Sequence, residues 1–184
     1  MKIVDMTTLD TAQHTQAAQM LTDELPLGWA ALSDAMDEVT SLLDSKENPD
    51  ALLLAAVEDN NVLGWVGILP QYNGKVYELH PLVVHRSHQG KGIGAKLVAA
   101  VEAAARERGA LTLYLGADDE SPEGETSLAN TDLYDDLPRH IRKFAPGAHQ
   151  SAFYMKLGFK IIGVMPDANG RGRPDIILAK PLYS

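Results

Sequence analysis

The spacing of apolar residues changes along the first half of the chain and predicts helices followed by strands. Leu32, Met36, Val39 and Leu43 recur at intervals of four, three and four residues, as the apolar stripe of an amphipathic helix requires. Two apolar runs then flank the polar triplet Asp59-Asn60-Asn61, a pattern typical of a β-hairpin. The predicted elements are a strand at residues 2–6, helices at 10–22 and about 32–43, and strands at 51–58 and 62–70.

The second half predicts one long helix set among strands. Residues 92–108 form an amphipathic helical pattern, and Gly109 follows where a left-handed residue often ends a helix. Pro81 lies within the predicted strand 76–84 and has no N–H to donate, so this strand should bulge or lie beside a gap. Further strands at 111–116, 159–165 and 175–182 and a short helix at 150–157 complete the prediction. This order predicts an α/β (α+β) fold with flanking helices and a mixed, largely antiparallel central sheet.

Length and composition limit the possible classes of protein. At 184 residues and 45% hydrophobic content, the whole chain, residues 1–184, is expected to form one domain. The chain contains no cysteine, which excludes disulfides, thiolate metal ligands and a cysteine nucleophile. The first nine residues lack the features of a secretory signal, and no apolar stretch is long enough to span a bilayer. We therefore expect a cytoplasmic protein without a membrane partner.

Charge is distributed unevenly along the chain. The net charge of −9 argues against a nucleic-acid partner. Two acid-rich segments, residues 3–45 and 117–137, each hold eight carboxylates and no Lys or Arg, and the remainder has a local balance of +7. An anionic ligand suits the basic remainder and a cationic ligand suits the acid-rich segments. The alternative is that the acid-rich segments are simply solvated surface.

A glycine-rich turn joins the strand that contains Pro81 to the long helix. Glycines let a backbone approach a ligand closely, and the first N–H groups of a helix lack partners within it. Such a turn can bind phosphate through its amides with help from the helix dipole. A dinucleotide fingerprint would need glycine where Ala95 stands, and a P-loop would need Ser or Thr where Gly92 follows Lys91. The alternative is a flexible turn without a ligand.

The glycine-rich turn also carries a resemblance to a known family. Gln89-x-x-Gly92-x-Gly94 is similar to the pyrophosphate motif of GNAT acetyltransferases, and the segment from Ser151 to Phe159 resembles their later helix–Gly–aromatic motif. Closer matches are to aminoglycoside 6'-N-acetyltransferases of the enterococcal type. They are carried by Pro70-Gln71-Tyr72, Glu78-Leu79-His80-Pro81-Leu82-Val83-Val84, Tyr114-Leu115-Gly116, Asp118-Asp119, Thr131-Asp132-Leu133-Tyr134 and Ala168-Asn169-Gly170.

This resemblance implies a GNAT fold with a splayed, bulged strand, acetyl-CoA as cosubstrate, no metal, and a homodimer. It implies direct transfer to a primary amine of an aminoglycoside or similar polycation, and hence antibiotic resistance. The expected coenzyme contacts are Leu82, Val83, Val84, Gln89, Gly90, Lys91, Gly92, Ile93, Gly94, Ala95, Tyr154 and Lys156. The expected acceptor contacts are Trp29, Tyr72, Glu78, Asp118, Asp119 and Asp132.

Four residues are candidates for the chemistry: Glu78, His80, Leu82 and Tyr154. In a regular strand the first three would point to one face, where Glu78 could hold a cationic amine and accept its proton. The alternative for Glu78 is a surface ion pair, and His80 is either catalytic or structural. By resemblance, backbone amides near His80 and Leu82 polarise the thioester, and the Tyr154 phenol protonates the departing thiolate. We expect Phe153, rather than Tyr154, to be the core residue of that pair.

Two other functions fit the same residues. One is acetylation of a protein lysine or α-amine, which needs an open groove for a peptide. The other is a non-catalytic acyl-CoA-binding module that keeps the glycine turn without turnover. The presence of both Glu78 and Tyr154 counts against the second alternative.

Overall fold

The computed structural model describes residues 1–25 and 28–183, and within them the chain forms seven β-strands and five α-helices. It divides into two compact units: the N-terminal unit, Met1–Leu111 with Tyr183, and the C-terminal unit, Thr112–Leu182. The elements are β1 (Lys2–Asp5), α1 (Thr11–Glu24), α2 (Leu32–Leu43), β2 (Leu52–Glu58), β3 (Asn61–Gln71), β4 (Val76–Val84), α3 (Ile93–Glu107), β5 (Thr112–Asp118), α4 (Leu137–Arg142), α5 (Ser151–Lys156), β6 (Lys160–Met165) and β7 (Asp175–Pro181).

The first two helices form for different local reasons. Helix α1 begins at a capping box, in which Asp10 Oδ1 accepts the Gln13 amide at 2.8 Å and Gln13 Oε1 accepts the Asp10 amide at 3.1 Å. Helix α2 has no side-chain cap, and it is stabilised instead by burial of Ala35, Val39 and Leu42. Both predicted helices are confirmed.

Strands β1 to β4 of the N-terminal unit pair in chain order, each antiparallel to the next. Helices α1 and α2 cover one face, where Trp65 and Val83 lie in the same buried cluster as both helices. The Trp65 indole N–H donates to the Ala17 carbonyl at 3.0 Å, which satisfies the polar atom of this fully buried side chain. Helix α3 packs on β2, β3 and β4. The predicted β-hairpin and the long helix are confirmed.

Strand β4 contains the bulge that Pro81 predicts. Val66 pairs with Leu82 but Ile68 pairs with Leu79, so His80 and Pro81 together oppose the single residue Gly67. The His80–Pro81 peptide bond is cis. A Cβ on Gly67 would overlap the His80 carbonyl oxygen, and therefore glycine is required where the bulge lies against β3.

The bulge changes which side chains share a face of β4. Val83 packs in the cluster under α1 and α2, so its neighbour Leu82 points to the opposite face. Glu78 pairs with Leu69, which packs against the same cluster. The His80 ring lies near Glu38 of α2 and near Trp29, which precedes that helix. A shared face for Glu78, His80 and Leu82 was expected only of a regular strand, and the bulge removes Leu82 from that face because the extra residue reverses the alternation.

The C-terminal unit has its own antiparallel strands. β7 pairs with β5 along its whole length and with β6 on its other side. Helix α4 was not predicted; Asp136 caps it by accepting the Arg139 amide at 3.1 Å, and Pro138 lies in its first turn. The α/β fold with largely antiparallel strands is confirmed. In the parts of the chain that the structure describes, no helix has both the length and the apolar character needed to cross a bilayer.

We expect Gly67→Ala to destabilise the protein by about 1–3 kcal/mol, because the added methyl group must displace the His80 carbonyl. Gly163→Ala in β6 is the matched control, since a Cβ there makes only ordinary contacts with the Ile177 side chain, at 3.6 Å from Cδ1 and 3.9 Å from Cβ. Urea unfolding gives both free energies. Equal stability of the two variants would contradict the proposed close contact at the bulge.

Candidate active site

The glycine-rich turn leaves a helix N-terminus open to a ligand. Gly90 and Gly92 adopt φ values of 72° and 78°, which favour glycine. Gly92 caps the 15-residue helix α3, and within the described residues no side-chain cap bonds to the start of that helix. The amides of Ile93, Gly94 and Ala95 therefore have no acceptor within the helix. With the helix dipole, these donors make a site suited to a phosphate group.

Side chains of the turn hold its backbone in shape. Gln89 Nε2 donates to the Val84 carbonyl at 2.9 Å, and Lys91 Nζ donates to the Ser87 carbonyl at 2.9 Å. Arg86 Nε donates to Glu24 Oε1 of α1 at 3.0 Å, which ties the turn to the helical layer. Gln89 and Lys91 each use one donor on a backbone carbonyl, so these side chains hold the shape of the turn while its amides stay open to an anionic ligand.

A polar cluster lies on the face of β4 under α1 and α2. Glu78 Oε2 lies 3.4 Å from Gln71 Nε2, and His80 Nε2 lies 3.4 Å from Glu38 Oε1. The rings of Trp29 and His80 have centroids 6.0 Å apart at an interplanar angle of 48°. The structure thus brings the predicted residues His80 and Trp29 together and places Glu78 on the same face of β4. Sequence reasoning missed Glu38, because a lone acid on a helix carries no signal of its partner on a strand.

Tyr154 is buried in the C-terminal unit. Its side chain is 5% exposed, and its ring meets Phe153 and Phe159 edge-on, with centroids 5.1 and 5.7 Å away. Burial raises the pKa of the phenol well above its ordinary value, so the group stays neutral and protonated at physiological pH. Phe153 is only half-buried. The expectation that Phe153 is the core residue of the pair is wrong, since Tyr154 occupies that position.

Comparison with known proteins identifies the family. The model of the acetyltransferase (GNAT) family matches residues 14–123. The chain belongs to the GNAT acetyltransferase family. No match is found among the curated proteins.

Solved structures resemble this GNAT acetyltransferase over its whole length. A crystal structure of an aminoglycoside 6'-N-acetyltransferase complexed with coenzyme A is 34% identical, with a TM-score of 0.91 over 100% of this chain and 98% of that chain. The aminoglycoside 6'-N-acetyltransferase from Enterococcus faecium is 34% identical, with a TM-score of 0.89 over the same shares. An aminoglycoside 6'-acetyltransferase type Ii is 30% identical, with a TM-score of 0.76 over 100% of this chain and 99% of that chain.

His149 fixes the start of the helix that carries Tyr154 in this GNAT acetyltransferase. The ring is 4% exposed, with Nε2 3.0 Å from the Asp118 carbonyl and Nδ1 3.0 Å from Ser151 Oγ. The imidazole therefore joins the end of β5 to the first residue of α5. Sequence reasoning missed this residue; its position just before the predicted helix was the available signal. Lys156 is exposed at the other end of α5.

The predicted acidic contacts have different environments. Asp119 is 1% exposed, and its carboxylate accepts the amides of Glu125 and Thr126 at 2.9 and 2.8 Å, which gives it a structural role in the loop. Asp118 is exposed and accepts Asn169 Nδ2 at 2.6 Å. Asp132 is exposed, and its Oδ1 accepts the Tyr134 amide at 3.1 Å. Contact of these carboxylates with an acceptor stays a prediction.

Glu120, which was not predicted, is half-buried beside Asp118. Burial, and then the negative charge of Asp118, raise the pKa of the Glu120 carboxyl.

Tyr72, which was predicted, is 78% exposed in the turn after β3. No group of three or more His, Cys, Asp or Glu in residues 1–25 and 28–183 is arranged to hold a metal.

We expect Tyr154→Phe to flatten the loss of stability at alkaline pH. An unfolded tyrosine loses its proton near about pH 10, whereas the buried phenol keeps it. The stabilisation is therefore complete below about pH 10 and is lost as the pH rises through the folded pKa. Urea unfolding between about pH 9 and about pH 11 measures the slope. Tyr134→Phe, which changes a 75% exposed side chain, is the control and should keep the wild-type slope. A wild-type slope in Tyr154→Phe would contradict the burial of the Tyr154 phenol.

Proposed function

We propose that this enzyme transfers the acetyl group of acetyl-CoA to a primary amine of an aminoglycoside or similar polycation, in a ternary complex. The observation that carries the proposal is identity of 34% over the whole chain with aminoglycoside 6'-N-acetyltransferases, together with a carboxylate and an imidazole on one face of the bulged β4. Direct transfer fits a chain without cysteine, because no thiolate is present to carry the acetyl group. The activity confers aminoglycoside resistance in a cytoplasmic, single-domain enzyme.

In this proposal, the amides of the turn from Gln89 to Gly94 bind the pyrophosphate of acetyl-CoA. The open N-terminus of α3 and the positive φ of Gly92 support the assignment, as does the coenzyme A in a 34% identical relative. Ala95 and Ile93 complete the first turn, and Leu82, Val83 and Val84 lead the strand toward it. The pantetheine arm pairs with the backbone at this end of β4.

The bulge supplies the donors for the reaction. The bulge takes His80 and Pro81 out of the regular ladder with β3. By resemblance, the Leu82 amide beside it polarises the thioester carbonyl. Glu78 accepts the proton of the attacking amine directly or through water. By resemblance, the neutral phenol of Tyr154 donates its proton to the departing thiolate, although burial makes it a weaker acid. Lys156 lies near the coenzyme by resemblance.

Acceptor binding combines one aromatic wall with carboxylates. Trp29 beside His80 provides the wall, and Glu78 lies nearest the reacting amine. Tyr72, Asp118 and Asp132 have the exposure that a contact requires, whereas Asp119 acts through the loop it stabilises. The acid-rich segments add a field that attracts a polycation.

We expect Gly92→Val to weaken coenzyme binding by about tenfold or more, since valine resists the left-handed conformation that aims the amides. Gly109→Val at the other end of α3 is the matched control. Gly109 has a φ of 79°, and a Cβ at either glycine meets nothing within 4 Å. Calorimetry with acetyl-CoA measures both. Equal affinities in the two folded variants would place the coenzyme elsewhere.

For the acceptor, we expect the Michaelis constant of a multiply charged aminoglycoside to rise about tenfold between about 0.05 and about 0.5 M salt, because salt screens exposed carboxylates. A singly charged amine of similar size is the control and should change less than about twofold. Initial rates at saturating acetyl-CoA measure both constants. The same salt dependence for the two amines would leave the acid-rich segments without a role in binding.

We further propose a homodimer that uses strand β6. This strand pairs with β7 alone among the described strands, and Ile162 and Met165 on it are 63% and 57% exposed. Exposed apolar residues on an edge strand favour pairing with a second copy. Light scattering at micromolar concentration distinguishes the dimer from a monomer.

A further inference from the structure

Among the residues that the structure describes, the His80 imidazole has one charged partner, and that partner lies on helix α2. Glu38 Oε1 lies 3.4 Å from His80 Nε2, an electrostatic contact that is longer than a normal hydrogen bond. The side chains of His80 and Glu38 are 41% and 28% exposed, so both are accessible to solvent without being fully hydrated. No other hydrogen bond or ion pair to the ring occurs within residues 1–25 and 28–183.

The orientation of the ring follows from the packing around it. The bulge turns His80 toward α2, and Trp29 lies against the ring at 6.0 Å between centroids. With Trp29 on one side and Glu38 at Nε2, the ring has a defined direction rather than a free surface rotamer. Glu78, two residues earlier and on the same face, accepts a hydrogen bond from Gln71 Nε2 at 3.4 Å.

A carboxylate can only accept a hydrogen bond, so the imidazole nitrogen that faces it carries the proton. Of the two neutral tautomers, Glu38 therefore favours the one with hydrogen on Nε2. In that tautomer, Nδ1 has a lone pair and can accept a hydrogen bond. This is a consequence of geometry and holds whichever amine the enzyme acetylates.

We infer that Glu38 is a positioning residue for acetyl transfer: its carboxylate holds His80 in the Nε2–H tautomer, so that Nδ1 accepts a hydrogen bond from the acceptor amine or its bound water. Glu38 touches neither substrate nor coenzyme in this inference and acts through His80. The pairing rests on the structure, and the role in amine binding rests on the proposed function. His80 is then neither a general base nor a packing residue, but the group that orients the amine beside Glu78.

The first test is the tautomer itself. ¹⁵N NMR of the histidine side chains, at a pH high enough that the rings are neutral, distinguishes a protonated Nε2 from a protonated Nδ1. We expect the His80 signal to report hydrogen on Nε2 in the wild type and a mixture of tautomers in Glu38→Gln and Glu38→Ala. Asp37→Asn removes the same charge from the neighbouring, exposed position of α2 and should leave the His80 signal unchanged. A wild-type signal in both Glu38 variants would overturn the inference.

The second test is a double-mutant cycle, which a merely structural role of Glu38 would not satisfy. Glu38→Gln should lower kcat about tenfold when His80 is present, within the range measured for residues in contact, and less than about twofold in a His80→Asn background. Asp37→Asn should change kcat less than about twofold in either background. An equal effect of Glu38→Gln in both backgrounds would overturn the inference. If no amine is acetylated by the wild type, the proposed function fails while the NMR result still decides the pairing.

Discussion

The register of β4 against β3 is the constraint on which the candidate site depends. An extra residue in β4 places His80 and Pro81 opposite Gly67, where no Cβ can be accommodated. This shift in register reverses the alternation of side chains beyond the bulge. Glu78 and His80 face the layer of α1 and α2, and Leu82 faces the other way. One short strand can therefore offer side chains to the acceptor amine on one face and backbone donors to the thioester beside the bulge.

Charge on this enzyme is divided between structural and functional uses. Among the described residues of the acid-rich segments, at least six carboxylates accept backbone amides: Asp5, Asp10, Asp44, Asp119, Asp132 and Asp136. Such bonds satisfy amides at the starts of helices and in turns. The absence of Lys and Arg from these segments still leaves a negative surface, but the acids are not all available to an acceptor. The open amides at the start of α3 provide the opposite preference, for an anion.

Most of the fold could be predicted from the sequence, because its helices and strands have regular apolar periods and clear terminal residues. The glycine turn and the bulge were predictable for a similar reason, since glycine and proline restrict the backbone directly. The direction of Leu82 was not, because Pro81 predicts a bulge or a gap without showing which residue becomes the extra one and reverses the alternation. The burial of Tyr154 rather than Phe153 depends on packing against Phe159, a contact within the fold. The pairing of Glu38 with His80 joins distant parts of the chain and has no local signal.

The most direct test of the account is release of free thiol from acetyl-CoA by the wild type and Glu78→Gln, across aminoglycosides, linear polyamines and lysine-containing peptides. The account predicts turnover with the polycations, weak or no turnover with the peptides, and a rate at least about a hundredfold lower in Glu78→Gln, the range expected for loss of a general base. Turnover with peptides alone would contradict the proposed acceptor. An unchanged rate in Glu78→Gln, with chemistry shown to limit turnover, would contradict the assignment of the reaction to this face of β4.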